Sequence, residues 1–159
     1  MIVTARTGEK VLVDESDWGK VTQMGIATLF IAGPKQRIGF SCGSRIVTLA
    51  RFIMGAKPNQ IIDHINGNPL DNRRCNLRFV TTQQNAYNQK KQKRITSSRY
   101  KGVYRQSQSR KKSWMAYITQ DGKKRNLGTY STEEDAARAY DKAAKKLFGE
   151  YAHLNSPSQ

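Results

Sequence analysis

Acidic residues and cysteine are both scarce in this chain. Its 159 residues include only 12 Asp and Glu against 28 Lys and Arg, a formal net charge of +16. The two cysteines, Cys42 and Cys75, stand in no paired spacing. That excludes a disulfide framework, and it excludes a structural zinc site, which needs four ligands at short spacing. Both are expected to be small, mostly buried hydrophobes. Hydrophobic residues make up 37% of the chain, little for one large core, so small modules are expected. There is no long apolar run, lipidation motif or basic amphipathic helix, and hence no expected membrane partner. The start, Met1 to Arg6, lacks the apolar core of a signal peptide, and the expected location is cytoplasmic.

The positive charge is concentrated. Residues 1–70 carry 8 basic and 5 acidic side chains, residues 71–130 carry 16 and 2, and residues 131–159 carry 4 and 5. A basic block of this kind is the footprint of a polyanion, because each neutralised phosphate releases counterions. A polyanion is therefore the expected partner.

Just before and inside that block lies Asp63-His64-Ile65-Asn66-Gly67-Asn68-Pro69-Leu70-Asp71-Asn72-Arg73, then Asn76-Leu77-Arg78, then Asn85. A histidine beside a carboxylate, with asparagines 12 and 21 residues further on, supplies a neutral base and oxygen ligands for a hard cation. These are the minimum parts for cutting a phosphodiester bond. The local reading is strand, long loop, strand, helix, with His64 on the first strand and Asn85 on a helix from Thr81 or Thr82 to about Lys90. Asn66-Gly67 reads as turn chemistry. Upstream, residues 1–50 read as short strands, including 10–13, 26–31, a return strand from Gln36 to Ser41, and 45–49. One helical turn follows at 50–54, and Trp18 reads as core. Lys90 to Ser98 is polar and basic, a linker that can lie along a phosphate backbone.

A second module follows. Residues 102–105, 114–118 and 124–128 read as three strands, with an Asp121-Gly122 hairpin turn between the last two. Ser131-Thr132-Glu133-Glu134 reads as a capping box. Ala136, Ala137, Tyr140, Ala143, Ala144, Leu147 and Phe148 form one apolar helical stripe, closed by Gly149. One sheet face is buried by the helix. The free face is expected to display Lys101, Arg105, Arg110, Lys112 and neighbours, with Lys124 and Arg125 as further DNA contacts. Trp114 reads as core, and His153 as packing or surface.

The first module resembles the HNH homing endonucleases of the phage type. Asp63-His64, Asn76 and Asn85 stand at that family's His-Asn-Asn positions, and the flanking words match over residues 61–88. Phage relatives often read Leu-His-Arg where this chain has Leu49-Ala50-Arg51. The second module resembles the Apetala-two/ethylene-response-factor DNA-binding domain over residues 99–155. The words that carry this are Tyr100-Lys-Gly-Val103, Trp114-Met-Ala-Tyr-Ile118, Leu127-Gly-Thr-Tyr130, Ala136 to Ala144 and Ala152-His-Leu-Asn155. The plant pattern has arginine where Tyr104 stands, and the stretch from Gln106 to Ser113 differs in length and composition, so sequence preference does not transfer.

Together these resemblances imply an α+β chain. A β-rich N-terminal part would carry a ββα-metal (HNH) nuclease motif, joined to a three-stranded antiparallel sheet plus one helix. The implied domains are 1–90 for the nuclease, 91–98 for the linker and 99–155 for DNA binding. The implied activity is metal-dependent, strand-nicking, site-preferring DNA cleavage by a monomer. His64 would be the general base, and Asn76 would brace the loop or orient the imidazole. Asp63 and Asn85 would hold one divalent cation, magnesium with manganese substituting, and Arg73 and Arg78 would position phosphates. The implied partner is double-stranded DNA, and no small-molecule cofactor is implied. If the chain is phage-encoded, its location is the host cytoplasm. The competing reading is a DNA-binding regulator whose nuclease fold is idle. An RNA-directed reading lacks the aromatic stacking motif of single-strand readers.

Overall fold

The computed structural model describes residues 1–26, 28–33, 37–91, 97–106 and 114–155. They form a mixed α and β fold of small sheets and few helices, in two compact units, Met1–Thr82 and Gln83–Gln159. No helix among the described residues is long and apolar enough to cross a membrane.

In the first unit, β1 (Ile2–Thr4) pairs antiparallel with β2 (Lys10–Leu12). Helix α1 (Glu15–Gln23) follows, then a three-stranded sheet in the order β3 (Phe30–Ala32), β4 (Arg37–Cys42), β5 (Arg45–Thr48). Helix α2 (Leu49–Ile53) leads through Gly55, whose φ of 60° suits glycine, toward the hairpin of β6 (Ile61–His64) and β7 (Leu77–Val80). Val11, Val13, Val21, Leu29, Ile38, Phe40, Leu49, Ile53 and Leu77 make one buried core, with Trp18 packed at its side.

Three expectations change here. Residues 1–50 are not all strand, because they include α1. Its signals are Asp14 at the N-cap and Glu15 and Asp17 in the first turn, where acidic groups favour the helix dipole. The strand expected over 26–31 is displaced to Phe30–Ala32, where it pairs Ile31 with Ile38. Cys42 and Cys75 are both exposed, not buried. Cys42 ends its strand on the solvent side, and Cys75 sits in a one-turn helix whose buried position is Asn76.

The second unit begins inside helix α3 (Thr82–Asn88) and contains β8 (Val103–Arg105), β9 (Trp114–Gln120), β10 (Lys123–Tyr130) and helix α4 (Glu133–Phe148). The sheet order is β10-β9-β8, antiparallel throughout. Ala116 and Ile118 of β9 and Val103 of β8 meet Ala136, Ala137, Tyr140, Ala144 and Phe148 of α4. The helix cap is shifted one residue from the expected box: Thr132 is the N-cap, and its hydroxyl accepts from the Asp135 amide at 3.1 Å. The compact units divide between Thr82 and Gln83, ahead of the domain end expected near Lys90. Tyr87 stacks on Phe148 with ring centroids 3.7 Å apart, and the Lys101 ammonium donates to the carbonyls of Tyr87 and Gln89. These interactions draw α3 into the second unit.

Candidate nuclease site and nucleic-acid interface

The hairpin sets the site's geometry. Asp63 and His64 are consecutive on β6, so their side chains leave opposite faces. Across the ladder Asp63 lies opposite Arg78, and His64 opposite Leu77. The long connection between the strands is held by asparagine amides, because a loop half out of solvent must pair its own backbone. Gly67, at φ 65°, makes the turn and donates its amide to the His64 carbonyl at 2.9 Å. Asn66 accepts from the Asn68 amide and from Asn76 Nδ2, and donates Nδ2 to Asp71 Oδ2. The loop's far side is tied to β2: the Leu12 amide donates to the Leu70 carbonyl, and the Asn72 amide to the Leu12 carbonyl, both at 2.8 Å.

His64 Nε2 lies 3.3 Å from Asn72 Oδ1. Asn72 is fully buried and spends its Nδ2 on the Pro69 carbonyl at 3.0 Å, so its oxygen is the atom turned to the ring. Nε2 therefore carries the proton and donates it, which leaves Nδ1 as the basic nitrogen. Burial holds the His64 pKa below its ordinary value, outweighing the Asn72 bond and the nearby Asp63 and Asp71 charges, with Arg37 adding to the lowering. The ring is thus neutral at neutral pH, as a proton acceptor must be.

Asn76, the expected middle asparagine, is buried and spends its amide on the loop. Its Oδ1 accepts from the Asn66 amide, and its Nδ2 donates to Asn66 Oδ1 and the Asp71 carbonyl. Of the two roles expected for it, these bonds describe the brace. Asn72 is the asparagine at the imidazole. In the sequence Asn72 stands out only as flanking wording, because composition does not separate two asparagines of one loop.

The arginines divide by partner. Arg73 makes a fork on Asp71 through Nε and Nη2, both at 2.8 Å, and this guanidinium lowers the Asp71 pKa. Arg74 clasps the buried carboxylate of Asp17 at 2.7 Å through Nε and Nη2 and donates to the Ile53 carbonyl, a packing role within the unit. Arg78 places Nε and Nη2 each 3.1 Å from Asp63 Oδ2, with both side chains nearly buried.

Asp63 is the carboxylate that the motif offers a cation. Among the described residues no group of three or more His, Cys, Asp or Glu could enclose a metal. Asp63, whose Oδ2 receives Arg78, is a single carboxylate, and it would suit a hard cation only where phosphate oxygens supply the remaining ligands. Asn85 sits on α3, within the second compact unit, and its place in the ligand set rests on the sequence pattern alone.

In the second unit, two-residue alternation decides which side chains share a face. Val103, Ala116 and Ile118 turn toward α4, and by register Arg105 (opposite Trp114) and Arg125 (opposite Ile118) share their side at exposed positions. The open face carries Tyr104, Met115, Tyr117, Thr119 and Lys124. The Lys124 ammonium lies 3.8 Å from the Tyr117 ring centroid and 5.1 Å from that of Tyr104. This corrects the expectation for Lys101 and Arg105 on the free face. Lys101 precedes the strand and donates to the carbonyls of Tyr87 and Gln89 at 2.8 and 2.7 Å, and burial pushes its pKa down to about 8. Arg110 and Lys112 lie outside the described residues, as does most of the expected linker. At the linker's edges, Lys91 donates to the carbonyls of Ser98 and Tyr100, and Ser98 is buried. Trp114 packs at the edge of the core.

The site and sheet define a two-unit chain, with an asparagine-braced Asp-His hairpin ahead of a helix-backed sheet. The HNH endonuclease family model matches residues 49–87, and the AP2 domain model matches residues 98–150. An uncharacterized HNH endonuclease of Acanthamoeba polyphaga mimivirus is 39% identical over 105 residues, covering 65% of this chain and 52% of that protein. Protein 3.8 of Escherichia phage T7 is 34% identical over 94 residues, covering 58% and 74%. Dehydration-responsive element-binding protein 2D of Arabidopsis thaliana is 44% identical over 63 residues, covering 38% and 29%. The chain therefore carries an HNH endonuclease domain followed by an AP2 domain. It spans about half the length of the mimivirus relative and under a third of the plant one. No solved structure matches it.

Proposed function

We propose that this chain is a divalent-metal-dependent DNA endonuclease of the homing type, site-preferring and strand-nicking, acting as a monomer in the cytoplasm. The observation that carries the reading is the half-buried, neutral imidazole of His64, anchored at Nε2 by Asn72 and set beside Asp63 on one strand. His64 takes a proton from water on Nδ1 as that water attacks phosphorus in line. Asn72 keeps the ring in the required tautomer and turns it to the water. The imidazolium that results is met by the negative charges of Asp63 and Asp71. Asn76 holds the loop that carries these groups. Asp63, with Asn85 by the sequence pattern, would hold the cation. When bound, a divalent cation neutralises charge building on the phosphate and on the departing 3′ oxygen. Magnesium is expected and manganese can substitute.

Arg73 and the basic groups of residues 99–155, among them Lys124 and Arg125, hold the duplex by its phosphates. The nuclease part is assigned to residues 1–90, the linker to 91–98 and the DNA reader to 99–155. The ion pair between Arg78 and Asp63, which occupies the expected metal ligand, favours the alternative of a non-catalytic DNA-binding regulator. One assay separates the two: supercoiled plasmid incubated with magnesium and then with chelator. The expected result is nicked circles only with the metal, and none from His64→Ala, whose DNA affinity stays within about twofold because the base acts in the transition state. Cleavage by His64→Ala at the wild-type rate would refute the mechanism, and binding without any cleavage by wild type would establish the regulator.

A further inference from the structure

By sequence pattern Arg78 is a phosphate-positioning residue, but its surroundings describe another task. The register places it directly across β6–β7 from Asp63, and both its Nε and its Nη2 converge on the single oxygen Oδ2. The two side chains are only 11% and 10% exposed, so water screens the pair weakly. The other arginines of the loop meet other carboxylates, Arg73 at Asp71 and Arg74 at Asp17.

We infer that Arg78 is a positioning residue that stands in for the divalent cation at Asp63 in the DNA-free protein, orienting the carboxylate and weakening metal binding until DNA is engaged. The inference rests on the proposed reading of Asp63 as a metal ligand. Its physical basis is direct. A buried carboxylate left without a cation is costly, so a metal-free state of this hairpin needs a resident positive charge. The same charge, hydrogen-bonded to the ligand oxygen, repels an incoming dication. Phosphates brought by DNA add negative charge that offsets the repulsion, so metal and DNA binding support each other. Linkage of this kind is reciprocal.

The test is a titration of manganese into the full-length protein without DNA, read by loss of the free-ion paramagnetic resonance signal. Arg78→Gln is expected to bind manganese at least tenfold more tightly than wild type. Arg78→Lys keeps the charge on a compact, more strongly hydrated head without the fork, and is expected to tighten binding about threefold. Asp63→Asn should abolish the site in either background. Unchanged manganese affinity in whichever Arg78 variant keeps the wild-type circular dichroism spectrum overturns the inference. So does a phosphate-clamp pattern, in which Arg78→Gln leaves the manganese titration alone and lowers the salt slope of DNA binding in chelator by about 0.9, the value of one neutralised phosphate. Failure of the underlying reading looks different: wild type would cleave plasmid in chelator, or Asp63→Asn would cleave with wild-type metal dependence.

Discussion

Replacing Asn72 with alanine separates two asparagines that the sequence makes look alike. Asn72 accepts the Nε2 proton of His64 at 3.3 Å, the long end of hydrogen bonding, so in the resting enzyme that bond is worth only about 0.5–1 kcal/mol. As the imidazole takes up a proton the donor becomes charged, and such bonds are worth about 1.5–3 kcal/mol. The difference, roughly 1–2 kcal/mol, is the part felt by the rate, a loss of about 5- to 30-fold. The pH profile should move as well. Cleavage needs neutral His64, so rate falls as pH drops through its pKa, which burial already sets below the ordinary 6.5. The Asn72 bond raises that pKa, so Asn72→Ala should shift the acid limb to still lower pH while lowering the plateau. Asn76→Ala loses two bonds to Asn66 and one to the Asp71 carbonyl, for about 2–3 kcal/mol of stability, and should leave the acid limb in place. The assay is single-turnover plasmid nicking between about pH 5 and 8, where histidine titrates, alongside thermal unfolding. If Asn76→Ala moves the limb and Asn72→Ala does not, the assignment of the two amides is wrong.

Gly102→Ala drives a Cβ into the Tyr140 ring and to 2.5 Å from the Tyr117 carbonyl oxygen, at a backbone φ of +73°. Unfolding of the second unit should then require about 3 kcal/mol less, with DNA affinity falling in parallel in a gel-shift titration; a wild-type melting curve would count against the packing described. Lys101, whose pKa burial pushes down to about 8 from 10.5, leaves the unfolded chain binding more protons between those values. Stability should therefore rise with pH across that window, and Lys101→Met should remove the slope in denaturant melts. A chain cut after Lys90 lacks every basic group from Lys91 onward, and its log affinity for duplex DNA should fall less steeply with log salt, by about 0.9 for each phosphate no longer neutralised. Equal slopes for the cut and full chains would place the DNA-reading surface in residues 1–90.

Much of the local order is legible in residue pattern. Alternation and turn chemistry place the β6–β7 hairpin, the Asp121-Gly122 turn and the apolar stripe of α4, because each depends on neighbours a few positions apart. The charge block and the Asp-His-Asn-Asn spacing likewise point to phosphodiester chemistry from sequence alone, since they are matters of residue type and count. Tertiary structure decided which group touches which. Asn72 rather than Asn76 reaches the imidazole because the loop is tied back to β2 through Leu12, an interaction between residues about sixty apart. Arg78 meets Asp63 because antiparallel register sets them opposite, and Arg74 is withdrawn from the DNA-facing charge by Asp17 on α1, a helix that strand-like patterning conceals. Lys101 turns from a surface cation into a partner of the Tyr87 and Gln89 carbonyls for the same reason. A side chain's charge and chemistry are written in the sequence, whereas its partner is chosen by long-range packing, where burial makes an unpaired charge too costly to keep.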